Sequence, residues 1–376
     1  MPFVIGIVFI LLYAILVYYI GWTGWGWMKN RMSTEPSKKF KFLYILTLAI
    51  VATSFILGKL TENVILHLIG AYWMALFYLL VILLPLAHVS VWLLRLTRLP
   101  HHHIEKGTSS VLLLVLFSLV AYGSYNTYSP TLQTYDIHID KGNRPQQLKV
   151  VLVSDMHFGL LSGIDHAQRM VNEINMLQPD IVMIPGDIID DDIRPYLRQG
   201  IDKIMTQIQA PYGVYASLGN HDKHNGPMAE VIQTLEKSGM HVLYDETLAV
   251  NENIQLIGRK DRSERNRATL ASLLEGVDTE KTTILLDHQP YELDVAQKLG
   301  IDLVLSGHTH HGQVYPGNFI TERLFENDWG YLQKEQLHSI VSCGFGFWGP
   351  PLRLGSRSEI VQIHLTMGTP KTSSLP

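Results

Sequence analysis

Four long apolar runs, all before residue 125, constrain this chain more than any other feature. They cover 3–22, 42–58, a stretch within 64–94, and 109–124. A hydrocarbon core of about 30 Å takes about 20 helical residues to cross, so the runs are at or near spanning length. The first closes in Trp22, Trp25 and Trp27, side chains that settle at a membrane interface. The third is longer than a span needs, which points to tilt or to a kink at Pro85. Packed instead as core helices of a soluble protein, these runs would need a very large polar shell. The first run lacks a basic segment before it and a small-residue cleavage site after it, so a cleaved leader is not expected. Residues 1–125 are therefore read as a transmembrane anchor of about four helices, embedded in a lipid bilayer.

Charge in the connections predicts orientation. The first connection carries Lys29, Arg31, Lys38, Lys39 and Lys41, and the third carries Arg95, Arg98 and Lys106. Basic connections stay in the cytoplasm, so both ends of a four-span bundle are expected outside, with the remainder of the chain extracytoplasmic. The triplet His101, His102 and His103 falls in the third connection and is expected in a solvated loop, because metal sites space their ligands.

After residue 125 the pattern changes. Residues 126–147 read as a linker and first edge segment. From 148 onward, strand-like runs (148–155, 180–187, 213–222, 254–258, 282–287, 302–306, 338–342, 359–365) alternate with helical spacing at 165–177, 193–208 and 227–238. Such alternation predicts α/β layers. A net charge of −4 offers no concentrated basic footprint, so no nucleic acid is expected as partner. The single cysteine, Cys343, excludes an internal disulfide and is expected as a small buried hydrophobe.

What ends each strand carries the chemistry. The first closes on Asp155-Met156-His157, the second on Gly186-Asp187, the third on Gly219-Asn220-His221-Asp222. Two later strands close on Asp287-His288 and Gly307-His308-Thr309-His310. Five strands deliver potential ligands at their carboxyl ends, the edge where open α/β sheets form binding crevices. Mixed carboxylate, imidazole and amide donors suit Mn, Fe or Zn rather than Ca.

The blocks Asp-x-His (155–157), Gly-Asp-x-x-Asp (186–190), Gly-Asn-His-Asp (219–222), His288 and Gly-His-x-His (307–310) resemble, in order, the motif set of the calcineurin-like metallophosphoesterases. Gly312-Gln313 and Trp348-Gly-Pro-Pro-Leu-Arg353 resemble the family's membrane-anchored bacterial branch, from which His311 departs by standing where glycine is usual. The resemblance implies a four-layer α-β-β-α sandwich over 148–376. It also implies two divalent metal ions. Asp155, His157 and His310 would hold one, Asn220, His288 and His308 the other, and Asp187 would bridge them. A hydroxide between the ions would attack phosphorus, with His221 as general acid. The implied activity is hydrolysis of a phosphate ester, a phosphodiester or pyrophosphate by preference, on a membrane-associated or extracytoplasmic substrate, with a lipid-linked phosphate ester as one candidate. The alternatives are a phosphomonoesterase on a soluble substrate and a silent binding protein.

Other residues have plainer expectations. Asp222 is expected to orient His221, and Asp190 to support the ligands. Asp191 and Asp192 fit an acidic first helical turn. His166, His224, His241 and His338 are expected at surface or loop positions, with His224 near enough to the 219–222 turn to reach substrate. Phe345, Phe347 and Trp348 are either core or an apolar lip over the site. A transporter is disfavoured, because the spans lack charged midplane residues.

Overall fold

The structure is a computed structural model that describes residues 2–141, 144–222 and 227–368. It divides into two compact units. One holds the residues up to Ser124 together with Gly349–Leu352; the other holds those from Tyr125 to Trp348 and from Arg353 onward.

The first unit is helical. Helices α1 (Pro2–Lys29), α2 (Lys38–Thr61), α3 (Val64–Leu94) and α4 (His101–Tyr128) are each long and apolar enough to cross a membrane. At most 28% of any helix's most apolar stretch is buried within the protein. The remaining apolar side chains point outward, where lipid rather than water is their compatible solvent. The α2–α3 hairpin is sharp: Asn63 caps α3 by accepting from the Leu66 amide at 3.0 Å. A Cβ on Gly58 would come 2.3 Å from the His67 nitrogen, and one on Gly70 would come 2.2 Å from that of Phe55. Only glycine lets these helices pack so closely. Helix α3 runs unbroken through Pro85. His101–His103, expected in a loop, instead form the exposed first turn of α4, because Pro100 supplies the carbonyl that accepts from the His103 and Ile104 amides. That earlier start also makes the fourth helix much longer than its apolar run.

The second unit carries two six-stranded sheets. Its first half contains β1 (Thr131–Ile139), β2 (Gln146–Leu152), α5 (Ile164–Leu177), β3 (Ile181–Pro185), α6 (Ile193–Arg198), α7 (Ile201–Met205), β4 (Val214–Ser217), α8 (Met228–Lys237) and β5 (His241–Val242). The second half contains β6 (Glu246–Ala249), β7 (Ile254–Gly258), α9 (Leu270–Leu273), β8 (Thr282–Leu286), α10 (Leu293–Lys298) and β9 (Leu303–Ser306). It ends with α11 (Asn318–Leu324), β10 (Gly330–Lys334), β11 (Leu337–Val341) and β12 (Glu359–Met367). One sheet has the order β1-β12-β2-β3-β4-β5 and the other β10-β11-β9-β8-β7-β6.

Side-chain alternation along the strands builds the layers. Val150, Leu152, Ile181 and Met183 from one sheet meet Ile284, Leu286, Leu303 and Leu305 from the other in a fully buried inter-sheet core. Their neighbours Val151, Val182 and Ile184 face the opposite way, against Met170, Ile174, Ile201, Val231 and Leu235 of the helices. Leu285 and Val304 do the same on the second sheet, against Leu270, Leu293 and Ala296. Strands buried on both faces read as continuous apolar runs, and the result is the α-β-β-α sandwich. The helical stretch expected over 193–208 is broken in two, because Gly200 adopts φ 72° between α6 and α7. The short strands β6 and β10 have no apolar run of their own and were not foreseen.

Candidate metal centre

Strands β2, β3 and β4 run parallel in one sheet, and β8, β9 and β11 in the other. Their carboxyl ends converge, bringing together segments far apart in the chain. Asp155, His157 and His310 present ligand atoms within 4.8 Å of one another, and so do Asp187, His288 and His308. Asp187 Oδ2 lies 3.0 Å from His288 Nε2 and 3.6 Å from His157 Nε2, so one carboxylate oxygen reaches a member of each group. His157 Nε2 and His310 Nε2 are 3.1 Å apart.

Backbone strain marks the same places. Asp155, His157, Asp187, His308 and His310 all have φ between 46° and 73°. Left-handed backbone is uncommon outside glycine, though Asp and His tolerate it better than bulkier residues, and such strain clusters at functional sites. The turns also demand two glycines. A Cβ on Gly219 would lie 2.2 Å from Asp187 Oδ1, and one on Gly307 would lie 2.1 Å from Asp155 Oδ2.

The donors fit divalent cations. Asn220 Oδ1 is buried without a hydrogen-bond partner among the described residues, an arrangement that is costly unless something else satisfies it. His288 Nδ1 donates to the Pro185 carbonyl at 2.8 Å, which aims Nε2 into the site. Burial disfavours charge on His288, yet Asp187 beside it outweighs burial and raises its pKa to about 10. Burial likewise opposes charge on Asp187, and His288 and His157 overcome it, holding the carboxyl well below the usual range. The pocket therefore draws positive charge to Asp187. His308 is lowered to about 4 by burial and by the charge of His288, and His310 falls well below its ordinary value through burial and His157. Neutral imidazole is the form that binds a metal.

Around this cluster several roles differ from expectation. His221 is held by Asp191: its Nδ1 lies 2.9 Å from Asp191 Oδ1. Asp191 also donates its amide to the His221 carbonyl. Burial lowers the His221 pKa, but Asp191 and then Asp187 outweigh it, for a net rise. Asp222, expected to orient His221, faces inward and accepts from the Ile188, Ile189 and Gly219 amides at 2.8 to 2.9 Å. It ties two strand-end loops together, and burial pushes its carboxyl up to about 7. Asp192 caps α6 through the Arg194 amide rather than extending an acidic turn. Asp190 lies 3.8 Å from His157 Nδ1.

Arg353 was not foreseen as part of this site. It is fully buried and donates to the carbonyls of Cys343, Gly344 and Gly346, and its Nη2 lies 3.1 Å from His310 Nδ1. His311 reaches Asp328 at 2.9 Å and packs on Trp329. Cys343 is buried. His166 and His338, expected at the surface, are buried, His166 against Phe345 and His338 bonded to the Tyr331 hydroxyl at 2.8 Å. Phe345 and Phe347 are core, whereas Trp348 is 55% exposed. His224 lies outside the described residues.

Residues 148–312 match the family model described as calcineurin-like phosphoesterase. An uncharacterized metallophosphoesterase of Campylobacter jejuni is 33% identical over 259 residues, covering 67% of this chain and 68% of that protein. One from Aquifex aeolicus is 33% identical, covering 66% of this chain and 96% of that protein. A transmembrane protein with metallophosphoesterase domain from Danio rerio is 32% identical over 68% of this chain, which spans 62% of that protein's length. With its four membrane-length helices, the chain is a membrane-associated, metal-dependent phosphoesterase and belongs to the calcineurin-like metallophosphoesterase family.

Proposed function

We propose that this chain holds two divalent ions, Mn, Fe or Zn, and hydrolyses a phosphodiester or pyrophosphate presented at the outer face of a membrane. In this reading Asp155, His157 and His310 hold one ion, and Asn220, His288 and His308 the other. Asp187 is shared between them. The observation that carries the reading is the position of Asp187 Oδ2, within 3.6 Å of a histidine from each group. When bound, the ions supply Lewis acidity toward the phosphate oxygens and activate water.

The chain's own residues do the rest. His221, its ring held by Asp191 through Nδ1, would offer its Nε2 proton to the departing oxygen. Water gives one proton to solvent and its oxygen bonds to phosphorus as the bond to the leaving group breaks, and the leaving oxygen takes the His221 proton. His221 is then reprotonated from solvent. Imidazole suits this task near neutral pH. The apolar helices support a membrane-associated or lipid-linked substrate, because they keep the protein at a bilayer. The basic connections support an extracytoplasmic catalytic unit.

The test uses the full chain in detergent, stripped by chelator and reloaded with Mn. Hydrolysis of bis(p-nitrophenyl) phosphate should vanish on stripping and return on reloading. Asp187→Ala should lower turnover by at least about a thousandfold and reduce bound metal. Faster turnover of p-nitrophenyl phosphate than of the diester would overturn the diester preference. Full turnover in Asp187→Ala would overturn the metal assignment.

A further inference from the structure

Two rings lie near that of His221. The His157 ring centroid is 5.0 Å away and that of Trp348 is 5.9 Å away. Trp348 is 55% exposed, although the two aromatic residues just before it in the same loop are buried, Phe345 at 0% and Phe347 at 3%. An exposed tryptophan offers a large, rigid apolar face, and beside a candidate site that face is available to a ligand. It is also held firmly at the backbone. The Gln313 side chain donates to the Trp348 carbonyl at 2.9 Å and accepts from the Trp348 amide at 3.0 Å. Gln313 lies three residues after His310 and donates its own amide to the His310 carbonyl at 3.0 Å. The indole is thereby fixed to the segment that carries His308 and His310.

We infer that Trp348 is a binding platform for the leaving group, and that the preferred substrate carries an apolar or aromatic alcohol beside its scissile phosphate bond. This rests on the proposed role of His221. The group that protonates the leaving oxygen must lie on the leaving-group side of phosphorus, and the Trp348 ring is its neighbour, with 5.9 Å between the two centroids. A small polar leaving group would leave the indole in water. One with an apolar face would cover it.

The experiment separates this inference from the hydrolysis reading by measuring binding. Full-length protein loaded with Mn is titrated calorimetrically with 2-phenylethylphosphonate and with ethylphosphonate, neither of which can be hydrolysed. Wild type should bind the phenylethyl compound roughly tenfold more tightly. Trp348→Ala should erase that preference while leaving ethylphosphonate affinity unchanged, and Trp348→Phe should retain most of it. An equal affinity of wild type for both compounds overturns the inference. So does a preference that survives in Trp348→Ala, which would leave Trp348 as an interfacial anchor. Parallel loss of both affinities also overturns it and makes the residue a support for the fold. The same preparations are assayed on bis(p-nitrophenyl) phosphate. Absence of turnover with the binding preference intact would sink the hydrolysis reading alone.

Discussion

At the scale of single residues, Asp191 and Asp222 have opposite tasks around the proposed acid. Asp191 touches the His221 ring, whereas Asp222 accepts from three buried backbone amides. Asp191→Asn should therefore lower kcat by about tenfold or more with bound metal unchanged, measured by steady-state kinetics and metal analysis. Asp222→Asn should leave an amide group facing a buried N–H and cost about 1–3 kcal/mol of stability, read as a lower Tm. A normal kcat in Asp191→Asn would remove Asp191 from the mechanism. The acidic residues themselves are plain in the sequence, but their partners are not. Asp191 and His221 are 30 residues apart, and φ 60° at Asp191 turns its chain out of a helical path. Adjacency made Asp222 look like the partner of His221, but its side chain faces the opposite way, into the loop beneath.

Among elements, α5 places a titratable group in an apolar setting. His166 packs against Phe345, Tyr128 and Phe347 with ring centroids 4.5 to 6.4 Å away, and burial lowers its pKa to about 4. The unfolded chain then takes up a proton near pH 6.5 that the folded chain refuses until about pH 4. The contribution of His166 is thus fully present above about pH 6.5 and is lost as pH falls toward 4, by about 3 kcal/mol at most. Tm should be compared between wild type and His166→Leu from pH 7 to pH 4. The variant should gain on wild type as pH falls, and a constant difference would show that His166 titrates normally. The periodicity of 165–177 announced this helix, and its apolar face was legible. That a histidine joins that face was not, because the burying rings come from Phe345 and Phe347, far along the chain.

For the whole molecule, basic connections and four spans predict a catalytic unit on the outer side of the membrane. Protease added to intact bacterial cells expressing the chain should cut the α/β unit while a cytoplasmic marker stays protected. Protection of the α/β unit would invert the orientation. Much of the plan could be read from the chain alone. Apolar runs of spanning length demand lipid, alternating runs demand layered sheets, and ligand residues recurring at strand ends demand a site at that edge. These are local properties, set by side-chain chemistry and spacing along the backbone. Only the tertiary structure decided which oxygen reaches which ring. His157 meets His310 across 153 residues, and Arg353 reaches back 43 residues to His310. Likewise, only folding buried Phe345 and Phe347 and left Trp348 in solvent beside His221, since exposure depends on what packs against a segment and not on the segment's composition.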